Sequence, residues 1–133
     1  MTEADFDWLN YLCKKRYSHK YDSDTTAAWF KNVVLKSPLM FFACRTQDAF
    51  AITLISITPW LPNSIEANLV FVCADDGCMW QAIRLLRSSI DWAKRRECSL
   101  WRMSSDTDYD LTPLANRLGV TELSPRFVLR LKP

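Results

Sequence analysis

Residues 66–86 read Glu66-Ala67-Asn68-Leu69-Val70-Phe71-Val72-Cys73-Ala74, then Asp75-Asp76-Gly77, then Cys78-Met79-Trp80-Gln81-Ala82-Ile83-Arg84-Leu85-Leu86. The joins between these three pieces decide the fold. Leu69 to Cys73 is apolar at every position, so a strand here is apolar on both faces, and such a strand sits centrally with helices on either side. Asp75-Asp76-Gly77 is a turn, and Asp76 is placed to cap the helix after it. That helix runs from about Cys78 to Arg96. Its expected inward stripe is Trp80, Ile83, Leu86, Ile90 and Ala93, with Arg84, Arg87, Ser88, Asp91 and Arg95 turned away.

The rest of the chain arranges itself around that unit. Upstream, Phe6, Leu9, Tyr11, Leu12 and Cys13 recur at helical spacing within residues 4–17. Ser23 or Asp24 can cap a second helix over residues 25–36, with Ala28, Trp29, Val33 and Val34 inward. Two strands come next, Leu39 to Arg45 and the Ile-rich Ala49 to Thr58, joined by the tight turn Thr46-Gln47-Asp48. Pro59 to Ser64 is a longer hairpin loop. Downstream lie a short strand at Ser99 to Met103, a polar loop, and a helix over residues 111–118 closed by Gly119. Phe127 to Leu131 is a last strand. The order α-α-β-β-β-α-β-α-β predicts an α/β fold, a mixed sheet with helices on both faces. No repeat or linker interrupts it, so residues 1–133 are expected to form a single domain.

Composition narrows the function. Hydrophobic residues make up 49% and charged residues 24%, which suits a globular chain and argues against disorder. A net charge of +2 gives no reason to expect a nucleic-acid partner. The basic runs Lys14-Lys15-Arg16 and Lys94-Arg95-Arg96 read as solvated helix ends, where cations oppose the macrodipole. Five Cys without paired spacing are not a disulfide framework. No leader-like or membrane-spanning run is visible, which points to the cytoplasm. Only Gly77 and Gly119 supply glycine, and phosphate-cradling loops need it.

Two stretches carry a family resemblance. Leu69-Val70-Phe71-Val72 with the helix ending Ile90-Asp91-Trp92-Ala93-Lys94 resembles the fourth strand and cofactor helix of the GNAT acyltransferase superfamily. Leu114-Ala115-Asn116-Arg117-Leu118-Gly119-Val120 with Phe127-Val128-Leu129-Arg130-Leu131 is similar to its final helix, Leu-Gly turn and last strand. The resemblance implies acyl-CoA held against Val72, Ala74, Gly77 and Cys78. The family's loop there is Arg/Gln-x-x-Gly-x-Gly/Ala, whose backbone N–H groups hold the CoA pyrophosphate at the helix start. Here Ala74-Asp75-Asp76-Gly77-Cys78-Met79 is about two residues shorter, has one Gly and no Arg, and places two carboxylates where the pyrophosphate would sit. Two unit charges about 4 Å apart repel by roughly 1 kcal/mol even in water. The family's general acid is a Tyr in the last helix. Leu114 and Ala115 stand there instead, and neither donates a proton. Tyr109 is the candidate replacement.

Other groupings carry less. Cys78 at a helix start is a candidate activated thiol, but Asp75 and Asp76 oppose a thiolate and the lone His19 is remote, so it reads as structural. Cys44 and Cys73 read as buried strand residues. Cys73-x4-Cys78 with one His is not a zinc site. Asp106-x-Asp108-x-Asp110 lacks the Gly and the Glu of a calcium loop, and no metal is expected. Trp60 and Leu61, on the Pro59–Pro62 loop tip, are a candidate docking surface for a partner or a second copy, which Trp8 and Trp101 could enlarge.

The expected function is that of a GNAT-like interaction or structural module without a cofactor. The alternative is an acyl-CoA-dependent N-acyltransferase. Small proteins of this kind resemble ones encoded by tailed bacteriophages, where some are virion components and one class modifies DNA bases.

Overall fold

The computed structural model describes residues 1–17, 21–57, 64–103, 111–120 and 129. Its layering stems from one strand, β2 (Ala49–Ile57). Side chains alternate across a strand, and β2 sorts large from small in doing so. Phe50 and Ile52 point to one face, where they pack with Phe6, Leu9, Leu12, Cys13, Phe30 and Val34. Ala49 and Ala51 point to the other, where they pack with Ala82, Leu85, Leu86, Leu111 and Leu114. The bulky face carries α1 (Phe6–Tyr17) and α2 (Ser23–Trp29). The alanine face carries α3 (Met79–Arg95) and α4 (Thr112–Leu118).

The sheet order is β1-β2-β3-β4, with β1 at Phe41–Arg45, β3 at Ile65–Ala74 and β4 at Leu100–Arg102. The pairs β1–β2 and β2–β3 are antiparallel, and β3–β4 is parallel across the α3 connection. A parallel neighbour requires such a crossover. The α/β class, the element order through α4 and the mixed sheet are therefore as the sequence predicts. The last strand, Phe127 to Leu131, lies outside the described residues.

Several inward faces differ from the expectation. In α3 the buried side chains are Gln81, Ala82, Leu85, Leu86, Ser89, Trp92 and Ala93, whereas Trp80 is 56% exposed beneath the Arg84 guanidinium. The stripe is rotated because two polar residues, Gln81 and Ser89, turn inward to hydrogen-bond the β1–β2 hairpin and the sheet. In α2 the chain widens into a π-turn over Phe30–Val34. That turn shifts the helical phase, so Phe30 and Val34 are buried while Val33 and Ala28 face out. Tyr11 is exposed on α1, and Val70 is exposed on β3. β3 is continuously buried over Val72–Ala74, with Ala67 the other buried position.

Trp8 and Trp101 are half-buried and pack against the fold. Trp8 meets Phe50 edge-on at 5.8 Å and carries the Arg45 guanidinium 3.6 Å from its ring centre. Trp101 donates its indole N–H to Ser89 Oγ at 2.8 Å. Gly119 ends α4 at φ 68°, the left-handed cap expected of it.

Candidate functional site

The site is built where β3 loses a neighbour. β4 pairs with β3 only through Glu66, Ala67 and Asn68. From Leu69 onward β3 has no β4 partner among the described residues. The β2–β3 register also slips here, pairing Ile52 with Phe71 and Thr53 with Leu69, so Val70 is an extra residue in β3. A bulge of this kind bends a strand and re-aims its backbone. Ligands of open α/β sheets bind outside the carboxyl ends of strands, where neighbours part.

At that end lies a cleft of about 240 Å³, lined in part by Arg16, Ala74, Asp75, Asp76, Gly77 and Leu114. Asp75-Asp76-Gly77-Cys78 forms its floor as a turn, with the Cys78 N–H donating to Asp75 O at 3.0 Å. Gly77 has φ 73°, a conformation glycine takes without a Cβ penalty. Asp76 does not cap α3. Cys78 is the N-cap residue, and no side chain caps the helix. Asp76 cannot serve because its carboxylate is turned toward α1.

That turn is the main departure from the sequence reading. Lys15 Nζ lies 2.5 Å from Asp75 Oδ1 and 3.0 Å from Asp76 Oδ2. Arg16 Nη2 lies 3.0 Å from Asp76 Oδ1. The Arg16 guanidinium also donates twice to Ala74 O, at 3.1 and 2.8 Å. The end of α1 is thus not simply a solvated terminus; it is clasped to the β3–α3 turn. The Lys15 hydrogen bond, aided by the Asp76 N–H, holds the Asp75 carboxyl below its usual range. Hydrogen bonds to the Asp75 and Asp76 carboxylates hold Lys15 protonated above the usual ammonium range.

Behind the turn, Gln81 fastens the β1–β2 hairpin to α3. Its Oε1 accepts from the Asp48 N–H at 2.9 Å and from Thr46 Oγ1, and its Nε2 donates to Asp48 Oδ2 at 3.0 Å. Asp48 O in turn accepts the Asp75 N–H at 2.8 Å. The position of the turn is therefore set from two sides, by α1 and by the hairpin.

The predicted cofactor residues gather here unequally. Ala74 and Gly77 line the cleft, Cys78 starts α3, and Val72 is buried against the helix layer, away from the lining. The Cys78 thiol is pushed up by desolvation and by the nearby Asp48 and Asp75 charges, the opposite of an activated thiolate. Burial pushes Cys44 and Cys73 up to about 11. Leu114 is buried in the cleft wall. Tyr109, Trp60, Leu61, His19 and the Asp106–Asp110 run lie outside the described residues. Among the described residues, no group of three or more His, Cys, Asp or Glu could hold a metal ion, and no helix is long and apolar enough to cross a membrane. Lys15, Arg16 and Gln81 are site residues that sequence reasoning misses. The signal available is a basic run ending one helix and a lone acidic pair ending a strand, of matching size and opposite sign.

The clasp has a consequence in acid. Asp5, Asp22 and Asp75 all have carboxyl pKa values lowered from 3.8, the first two chiefly by backbone N–H donors at Thr2 and Thr25. A lowered folded-state value gives stability that is present above the unfolded value and is lost as pH falls through the folded one. Melting temperature is therefore expected to hold above about pH 5 and to decline below it as these groups protonate. Asp75→Asn should flatten part of that decline; an unchanged acid limb in this variant would contradict the assignment.

Three antiparallel strands, a parallel fourth that parts from the third, and a helix springing from the point of parting define the GNAT fold, and the chain has it. No protein-family model matches the sequence, and no curated protein sequence matches it. Solved structures do. A transcriptional regulator from Bacillus halodurans superposes with a TM-score of 0.77 at 15% identity, covering 98% of this chain and 96% of that one. A ribosomal-protein-alanine N-acetyltransferase from Brucella melitensis gives a TM-score of 0.75 at 14% identity, with the same coverages. AAC(6')-Iy, in complex with the bisubstrate analogue CoA-S-monomethyl-acetylneamine, gives 0.74 at 12% identity, covering 100% of this chain and 95% of that one. At such identities the likeness is one of fold.

Proposed function

We propose that residues 1–133 form a single GNAT-fold module that does not transfer acyl groups. It works by contact with a protein partner or with copies of itself, as a bacteriophage virion component would, in the cytoplasm or in a particle assembled there. The observation that carries this reading is the clasp. The entrance to α3 holds two carboxylates, and the two nearest cations are already engaged with them and with Ala74 O. A CoA pyrophosphate placed there would meet the carboxylates of Asp75 and Asp76, and the nearest cations are already paired with them. Leu114 and Ala115 offer no proton for a leaving thiolate.

A second reading draws on one observation. β3 pairs with β4 only through Glu66–Asn68 among the described residues and is bulged at Val70, as a strand parting from its neighbour to take an acyl-CoA would be. Under it the protein is an acyl-CoA-dependent N-acyltransferase, including one acting on DNA bases, with Tyr109 as acid. The likeness in fold to the alanine N-acetyltransferase and to AAC(6')-Iy is compatible with either reading.

The two separate in a thermal-shift measurement. A ligand at 100 times its Kd adds about 2.7 kcal/mol of stability. The expected result is no shift with CoA or acetyl-CoA at millimolar concentration. A clear rise, or turnover of acetyl-CoA by a monomer, would replace the first reading with the second. Trp60→Ala is expected to abolish self-association or partner capture while leaving melting unchanged.

A further inference from the structure

The clasp has the form of a filled binding site. Lys15 spans two separate carboxylates, one oxygen on Asp75 and one on Asp76, while Arg16 takes the other oxygen of Asp76. Two adjacent cations thus hold two adjacent anionic groups, and both groups belong to the chain itself. Arg16, Asp75 and Asp76 are also walls of the cleft, so the pairing is made at the cleft and not at a remote surface. Arg16 is anchored independently of the acids by its two donations to Ala74 O, so removing the acids leaves its guanidinium in place. Asp76, with its side chain 70% exposed, has no comparable anchor and can swing away.

We propose that the clasp is an autoinhibitory contact, in which Asp75 and Asp76 act as internal anions on Lys15 and Arg16 and exclude from the cleft a ligand bearing two linked anionic groups, of the diphosphate class. The proposal rests on the reading that the unmodified chain takes no CoA. It adds that the exclusion resides in two side chains and can be removed. Without the two carboxylates, both cations lose these partners at the cleft. Charge-assisted bonds from an ammonium and a guanidinium to phosphate oxygens are then available beside the uncapped start of α3.

The test uses inorganic pyrophosphate as the probe, with calorimetry on the full chain. Asp75→Asn/Asp76→Asn is expected to bind it at least about tenfold more tightly than the unmodified chain, at a salt concentration held fixed. Adding Lys15→Met is expected to remove the gain. Asp76→Asn alone, at the more exposed position, should give a smaller gain and serves if the double variant does not fold by circular dichroism. A folded variant with no gain overturns the proposal, as does a gain that survives Lys15→Met together with Arg16→Met. CoA binding by the unmodified chain would instead sink the reading beneath it. An unmodified chain and a folded double variant that both ignore pyrophosphate would sink this inference alone.

Discussion

Phe50→Ala is expected to lower folding stability by about 3–5 kcal/mol, the range for truncating a buried Phe. The side chain is fully buried in the middle of β2. It meets Trp8 edge-on at 5.8 Å and stacks on Phe71 at 5.9 Å, so one deletion strips contacts from α1 and from β3 together. Neither neighbour can fill the gap easily. Phe71 is held in the β2–β3 ladder opposite Ile52, and Trp8 is held under Arg45. The cost should therefore include a cavity contribution as well as the lost transfer free energy. For a chain of this length the melting temperature should fall by roughly 10–20 °C. Since domains of this size are commonly stable by only about 5–15 kcal/mol, the variant is expected to be partly unfolded in mild urea. Leu39→Ala, at a side chain 69% exposed, is the control and should move the midpoint hardly at all. A Phe50→Ala midpoint within a degree or two of the unmodified chain would mean that the α1–α2 layer does not pack on β2 as described.

What can be read from the sequence divides along a physical line. The strands are legible because Ala49 to Ile57 and Leu69 to Ala74 are long apolar runs, and burial by composition needs no knowledge of the partner. The end of α4 is legible because Gly119 alone suits a left-handed residue after a helix. The inward face of α3 is not, because Gln81 and Ser89 are buried for reasons written elsewhere in the chain. Gln81 answers Thr46 and Asp48, and Ser89 answers Thr53 and Trp101. A periodicity that counts only apolar side chains passes over both and puts Trp80 inward in their place. The same limit applies to the clasp. Asp75 and Asp76 stand out in the sequence as a local anomaly, but their counter-cations lie about sixty positions earlier, and ion pairing at that range is a product of the fold. The degraded loop is thus legible and the means of its neutralisation is not. The phase shift in α2 has no sequence signal that periodicity could use, since a π-turn adds a residue without a Gly or Pro to mark it.

Ser89→Ala is expected to cost about 2–3 kcal/mol, an effect large for the loss of one oxygen. Ser89 Oγ lies 2.6 Å from Thr53 Oγ1, with both residues fully buried, and it accepts the Trp101 N–H at 2.8 Å. One hydroxyl therefore joins α3, the central strand β2 and the short strand β4. Its removal leaves the fully buried Thr53 hydroxyl and the half-buried Trp101 N–H without this partner. Each such orphan costs about 1–3 kcal/mol, more than the net worth of the bond it had made. The sign of that asymmetry supplies the decisive comparison. Replacing the orphans as well, in Ser89→Ala/Thr53→Val/Trp101→Phe, should recover part of the loss, because an apolar set of similar shape leaves no unpaired donor or acceptor. Urea midpoints of the unmodified chain, the single variant and the triple variant measure it directly. If the triple variant were less stable than Ser89→Ala by the sum of two further losses, the network would be contributing through packing alone. If Ser89→Ala matched the unmodified chain, β4 would not be tied to α3 through this hydroxyl.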